Sequence, residues 1–148
     1  MAVKPVPAGY TTISPMLMAD NADALLQWLT AAFDTRELSH ISKKDGSLMA
    51  ADFAVGTASI SICAANAEMP ATRSVLYVYV PDADATHLRA LRAGGTSLLE
   101  PKDQAHGDRM GGIADPAGNQ WWIASRIEEL SPEELQQRMS EHDETSGP

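Results

Sequence analysis

The chain has 148 residues, 44% of them hydrophobic, which fits one ordinary globular domain with a core of its own. Its 20 acidic and 11 basic residues give a formal charge of -9, which argues against nucleic acid or an anionic membrane surface as partners. No apolar run approaches the roughly 20 residues of a membrane span, and we find no signal-peptide pattern at the start. Cys63, the single cysteine, lies in an apolar run, so we expect a buried thiol in a reducing cytoplasm.

The first half of the chain predicts a strand, a helix and three more strands. Leu25, Trp28, Leu29 and Ala32 recur at the spacing of a one-sided helix, here predicted over about 20–33. Strands are predicted over about 11–18, 36–42, 47–55 and 57–64, and the KKDGSL segment marks a hairpin between two of them.

The second half repeats this order. A helix is predicted over about 82–93, ending at Gly94-Gly95, and strands over about 74–80, 95–100, 109–114 and 119–125. The segment DALLQWLTAAFDT, from Asp23, aligns with DATHLRALRAGGT, from Asp84, at a shift of 61 residues that also relates the flanking strands and turns. We therefore predict two βαβββ modules, over about 10–66 and 73–126.

The modules form one predicted domain, 10–130, between an N-terminal arm, 1–9, and a C-terminal segment, 131–148. The SPEE sequence at 131–134 is a helix start, with serine as the cap, and we expect the final SEHDETSGP to be frayed.

The segments GDRMGG, DPAGNQWW and IEELSPEELQQRM, placed on this double module, carry a resemblance to a known family. The chain resembles the vicinal oxygen chelate superfamily of glyoxalases, bleomycin resistance proteins and dioxygenases, and within it the PhnB-like branch, over roughly Tyr10 to Met139. The resemblance implies an α+β fold in which the modules form a cupped eight-stranded mixed sheet, and it implies a homodimer. This fold carries isomerases, ring-opening dioxygenases, resistance enzymes and binding proteins, so it does not fix the function.

Enzymes of the superfamily hold a divalent metal with four strand positions, one on the first and one on the last strand of each module. These positions correspond here to Ile13, Ser61, Val75 and Trp122, none of which is a strong metal ligand. The histidine that the PhnB-like branch often carries after its Asp-Gly hairpin is replaced by Ala50. The four histidines share no metal-binding spacing; they are His40, His87, His106 and His142. We therefore expect no metal and no other cofactor.

The residues expected to face the cup are mostly apolar and aromatic. Because side chains alternate along a strand, Tyr77 and Tyr79 should face the same side as Val75. The expected lining comprises Ile13, Pro15, Leu17, Ser59, Ser61, Cys63, Val75, Tyr77, Tyr79, Trp122 and Ala124. Such a lining suits an aromatic or cationic organic ligand, but the same side chains would also simply fill the space of the missing metal.

Arg109 is the charged candidate beside the cup mouth. It either clamps a ligand carboxylate or braces the hairpin by pairing with Asp108 or Asp115. The cluster of His106, Asp103, Asp108 and Arg109 is interpreted as a solvated loop.

Three hypotheses for function follow. The leading one is a metal-free member of this superfamily that binds a small organic molecule, including drug sequestration; catalysis is left open, with a non-enzymatic role favoured. The alternatives are a metal-dependent lyase, isomerase or dioxygenase of the same superfamily, and an interaction protein with a filled cup.

Overall fold

The computed structural model of the chain describes residues 2–145. The first module consists of β1 (Met16–Ala19), α1 (Ala22–Ala32), β2 (Thr35–Ser42), β3 (Leu48–Val55) and β4 (Ala58–Ala64). The second consists of β5 (Val75–Tyr79), α2 (Ala83–Arg92), β6 (Thr96–Asp103), β7 (Asp108–Ala114) and β8 (Gln120–Arg126), and α3 (Pro132–Thr145) follows. None of the helices in the described part is long and apolar enough to cross a membrane.

The strand order is the same in both modules. The two sheets run β1-β4-β3-β2 and β5-β8-β7-β6, and in each the first strand pairs with the last in parallel while the other pairs are antiparallel. The predicted α+β fold with two βαβββ modules and a C-terminal helix is confirmed. Its eight strands form two hydrogen-bonded sheets of four.

A core shared by the two modules lies between the sheets and the helices. The indole nitrogen of Trp28, on α1, donates to the carbonyl of Ala90, on α2, at 3.0 Å. The Trp28 ring centroid lies 5.8 Å from that of Phe33 and 5.6 Å from that of Trp121, which is on β8 of the second module. Because these aromatic side chains are buried together, neither module has a complete core without the other.

The turn between β7 and β8 fixes which tryptophan enters this core. The carboxylate of Asp115 accepts hydrogen bonds from the backbone of Ala117 and Asn119, from the Asn119 amide and from the Trp121 indole. Gly118 completes the turn at φ +87, a conformation that favours glycine. With Trp121 held inward, the alternation of the strand turns Trp122 to the opposite face of the sheet.

The predictions for β1 and for the end of the chain differ from the structure. The strand begins at Met16 rather than near residue 11, and Met16 lies opposite Ser61. Leu17, predicted to face the cup, is buried in the core, so the predicted facing of β1 was wrong by one residue. Residues up to 145 of the expected frayed end are helical, and residues 146–148 lie outside the described part.

The buried face of α2 also differs from the prediction. The helical spacing of Ala85, Leu88 and Leu91 predicts that Leu88 lies on the buried side and His87 on the surface. In the structure Leu88 is exposed and His87 is only 2% exposed. The His87 ring lies over Gly111, where an added Cβ would come within 2.9 Å of the His87 Cδ2 atom, and its Nε2 lies 3.1 Å from the carbonyl of Leu99. The glycine therefore makes room for an imidazole that has a polar partner.

Candidate functional site

The face of β5 that points away from the helices is open and aromatic. Val75, Tyr77 and Tyr79 are 69%, 45% and 61% exposed, while the intervening Leu76 and Val78 pack against the core. The rings of Tyr77 and Tyr79 lie 5.3 Å apart at an angle of 59°. Large side chains of this kind on an open strand are typical of a surface that contacts a ligand or a partner.

One buried carboxylate anchors both tyrosines. Asp108, the first residue of β7, is 0% exposed, and its Oδ2 accepts hydrogen bonds from Tyr77 at 2.6 Å and Tyr79 at 2.8 Å. The Nε2 atom of His106 lies 3.0 Å from the Tyr77 oxygen and 3.3 Å from Oδ2. The guanidinium of Arg126 donates to Oδ1 at 3.4 Å. The two phenol groups are therefore held in place by the same oxygen atom.

This network keeps Asp108 ionised and the phenols protonated. Burial raises the pKa of Asp108, but the hydrogen bonds from Tyr77, Tyr79 and Arg126 outweigh it and hold that pKa below its usual range. Burial, followed by the bond to Asp108, raises the pKa of Tyr77, and the bond to Asp108 is the main cause that raises the pKa of Tyr79. Each hydroxyl thus keeps its proton and points it at the carboxylate.

A cavity of about 390 Å³ adjoins these tyrosines. It lies between the modules, where the segment from Tyr77 to Pro81 approaches the β3–β4 hairpin and the end of α1. Phe33 and Val55 form its apolar side, and Thr86 and Arg89 of α2 contribute polar groups. This volume is within the range of small-molecule pockets.

Trp122 lies on the same face of the second sheet. In the strand register it is opposite Tyr77 on one side and Gly112 on the other. Its six-membered ring covers Gly112, where an added Cβ would come within 2.5 Å of the Trp122 Cζ3 atom. Val75, Tyr77, Tyr79 and Trp122 are thus on one face of a single sheet.

The candidates from the first module lie on a different sheet. The Ser61 hydroxyl donates to Oδ1 of Asp52 at 2.5 Å, and Tyr10, from the N-terminal arm, donates to Oδ2 at 2.6 Å. Ile13 precedes β1 and is 81% exposed, so it is not a strand position. Within residues 2–145 no hydrogen bond or ring contact joins Ile13 or Ser61 to the tyrosines of β5.

Arg109 lies on the opposite face from Asp108, its neighbour in sequence. Its guanidinium contacts Asp84 of α2 at 2.6 and 3.0 Å and Asp103 of β6 at 3.1 Å. Its pKa is raised by these carboxylates, Asp84 first. The prediction that Arg109 pairs with Asp108 or Asp115 was wrong, because strand alternation directs it toward α2 and away from the tyrosines.

The four positions that the resemblance assigns to a metal do not fit one here. Ile13, Val75 and Trp122 carry no strong ligand atom, and the Ser61 hydroxyl is occupied by Asp52. Across the described residues, no group of three or more His, Cys, Asp or Glu side chains is placed to hold one ion.

The polar centre of this site was missed from the sequence. His106 and Asp108 were grouped there with Asp103 and Arg109 as a solvated loop, but the structure separates the two pairs onto opposite faces of the sheet. The alternation of side chains along β7 could have revealed it, because Asp108 and Gly112 lie on the same face of the strand and Gly112 pairs with Trp122.

The fold consists of two βαβββ modules, which is the fold implied by the resemblance to glyoxalases, bleomycin resistance proteins and dioxygenases. Comparison with known families agrees. The model of the Glyoxalase/Bleomycin resistance protein/Dioxygenase superfamily matches residues 11–123. The chain therefore belongs to this superfamily, as its sequence motifs predicted. Its narrower place in a PhnB-like branch stays a prediction.

The chain is also similar to a mycobacterial protein in sequence and to solved structures in fold. An uncharacterised protein of Mycobacterium bovis, Mb0911c, is 31% identical over 151 residues, covering 95% of this chain and 97% of the relative. The fold is similar to that of TioX from Micromonospora sp. ML1, with a TM-score of 0.66 and 20% identity over 79% of this chain and all of that one. It is also similar to the fosfomycin resistance protein FosX from Listeria monocytogenes, with a TM-score of 0.63 and 15% identity over 84% and 97% of the two chains.

Proposed function

We propose that the chain is a binding protein that takes up a small aromatic or cationic organic molecule against the face of β5. The observation that carries this proposal is the pair of exposed phenol rings, Tyr77 and Tyr79, whose hydroxyls are fixed by the buried Asp108. Rings held in one orientation lose little entropy when a flat molecule packs on them. The adjoining cavity offers space for the rest of such a ligand.

Drug sequestration is the role we favour within this proposal. FosX, which shares this fold, is described as a fosfomycin resistance protein. The charge of -9 favours cationic ligands over anionic ones. We also infer a cytoplasmic location, which the free thiol of Cys63 supports.

A homodimer is part of the proposal. The outer face of β5 carries three large exposed side chains, and the start of β1 adds Met16, which is also exposed. A second copy of the chain can cover such faces and complete a cup around the ligand. Light scattering should give twice the chain mass of 15.8 kDa, and a monomer at working concentration would remove this part of the proposal.

The direct test is binding by the purified protein to a panel of aromatic amines and neutral aromatic compounds, measured by thermal shift and then by titration. Tyr79→Ala should weaken a hit by roughly tenfold, because it removes one stacking partner. Leu88→Ala, a truncation on the exposed face of α2, is the matched control and should leave the affinity unchanged. The proposal fails if no compound binds, or if both variants weaken binding equally.

Elemental analysis separates this function from a metal-dependent one. Protein purified without chelator should contain far less than one equivalent of nickel, zinc, iron or manganese, because Ile13, Ser61, Val75 and Trp122 offer no suitable donor set. About one equivalent per chain would instead favour a metal-dependent lyase, isomerase or dioxygenase with ligands from two protomers.

A further inference from the structure

The hydrogen-bond geometry around Asp108 restricts what the exposed tyrosine oxygens can bind. A phenol has one proton to donate, and both Tyr77 and Tyr79 direct theirs to Oδ2 of Asp108. Their oxygen atoms can therefore only accept a further hydrogen bond. The position of His106 agrees with this, because its Nε2 lies 3.0 Å from the Tyr77 oxygen and must carry the proton in that contact.

Tyr79 is the hydroxyl that remains available. His106 lies at hydrogen-bonding distance from the Tyr77 oxygen. The Tyr79 oxygen is approached by the Tyr77 hydroxyl, whose proton is directed to Asp108, and by no other hydrogen-bond donor in the part of the chain described by the structure. Tyr79 is also the more exposed of the two, at 61% against 45%. A molecule on this face thus meets one free acceptor whose oxygen is hydrogen-bonded to a carboxylate, beside two aromatic rings 5.3 Å apart.

We infer that Tyr79, polarised by Asp108, is an acceptor subsite for a protonated primary or secondary amine. This inference rests on the proposed function and names the ligand class of the same site. Such an amine brings the N–H donor that the oxygen requires, together with a positive charge that the negative faces of the Tyr77 and Tyr79 rings attract. A quaternary ammonium has the charge without the donor, and a carboxylate has neither.

Arg126 provides the competing possibility. Its guanidinium is 40% exposed and donates to Oδ1 of Asp108, so an anion would approach Arg126 rather than Tyr79. The distance of 3.4 Å and the use of a second oxygen leave the tyrosine bonds to Oδ2 unaffected. An anionic probe therefore belongs in the experiment.

The experiment compares three ligands that share one aromatic ring: 2-phenylethylamine, its N,N,N-trimethyl derivative and 3-phenylpropionate. Each is titrated into the full chain near neutral pH and followed by NMR shifts. The amine should bind at least about tenfold more tightly than the trimethyl derivative, because only the amine forms the charge-assisted hydrogen bond. The carboxylate should bind more weakly still.

Tyr79→Phe removes the acceptor and keeps the ring. In this variant the amine and the trimethyl derivative should bind with about equal affinity, and the affinity of the trimethyl derivative should be the same as in the unsubstituted protein. Tyr10→Phe is the matched control, since that hydroxyl also donates to an aspartate, Asp52, but on the first sheet. Tyr10→Phe should leave the preference for the amine unchanged. Thermal unfolding of both variants serves as the check that they are folded.

The outcomes separate the two proposals. If none of the three compounds binds, the proposed aromatic site itself fails. If all three bind equally, or the carboxylate binds best, the aromatic site stands and the amine subsite is overturned. A preference that survives Tyr79→Phe, or disappears in Tyr10→Phe, also overturns it.

Discussion

Replacing Gly112 with alanine tests whether Trp122 lies where the register places it. The new Cβ would lie 2.5, 2.8 and 2.9 Å from three atoms of the Trp122 ring, so the ring must retreat by about 1 Å to reach an ordinary carbon contact. Overpacking of this kind costs about 1–3 kcal/mol, and the reduced backbone freedom of alanine offsets about 0.4–1 kcal/mol. We expect a net destabilisation of about 1–2 kcal/mol.

A double-mutant cycle with Trp122→Ala isolates that clash. Without the indole the new methyl group has no ring to meet, so Gly112→Ala should be neutral or slightly stabilising in that background. The coupling free energy between the two substitutions should be about 2 kcal/mol, measured by urea unfolding with fixed m-values. Additivity within about 0.5 kcal/mol would refute the placement of Trp122 over Gly112.

Gly111→Ala is the control for this cycle. Its Cβ would meet His87 and the backbone of Leu99 and Pro101, all at 2.9 Å, on the other face of β7. The substitution should destabilise the protein equally with and without the Trp122 indole. Coupling of Gly111 to Trp122 as large as that of Gly112 would mean that the face assignment of β7 is wrong.

Three more predictions concern polar groups. Trp28→Phe removes the indole donor to the Ala90 carbonyl, which keeps the Gly95 N–H, and puts a smaller ring in the buried core, so it should cost about 1–3 kcal/mol in urea unfolding. Asp115→Ala orphans several donors in a buried turn and should cost more than about 3 kcal/mol, whereas Asp45→Ala, in the exposed hairpin turn, should cost far less. Because the pKa of Asp108 is depressed in the fold, its contribution to stability is full above about pH 4 and is lost as pH falls through the lower folded value. Acid titration of the free energy of unfolding should therefore be flatter in Asp108→Asn, and equal slopes would contradict the network.

Much of the fold could be predicted because its signals are local. The spacing of Leu25, Trp28, Leu29 and Ala32 defines the buried side of α1, and all four are buried. The alternation of Val75, Tyr77 and Tyr79 is likewise a property of one strand, and their shared outward face is confirmed. The shift of 61 residues relates Met16 to Tyr77 and Ser61 to Trp122. Met16 pairs with Ser61 in the first sheet, and Tyr77 pairs with Trp122 in the second.

The sequence predictions are wrong where contacts between residues distant in sequence determine the structure. Ile13 was expected in a strand, but β1 starts only at Met16, and Leu17, which was expected to face the cup, is buried in the core. The buried side of α2 depends on the space above Gly111, 24 positions away from His87, which helix periodicity alone does not reveal. The main partner of Arg109 is Asp84, which precedes it by 25 residues and contacts it from α2, on the layer above the sheet.

The same distinction explains why the polar centre of the site was missed. From sequence, Asp108 is an acidic residue in a Gly-rich hairpin, and charged residues of that kind are mostly solvated. In the fold it is buried because two tyrosines from a strand about 30 residues earlier donate to one of its oxygens. A buried carboxylate with these partners fixes the orientation of both rings and leaves only an acceptor at the surface. The chemistry that we propose for the open face of β5 therefore comes from a residue that does not reach that surface itself.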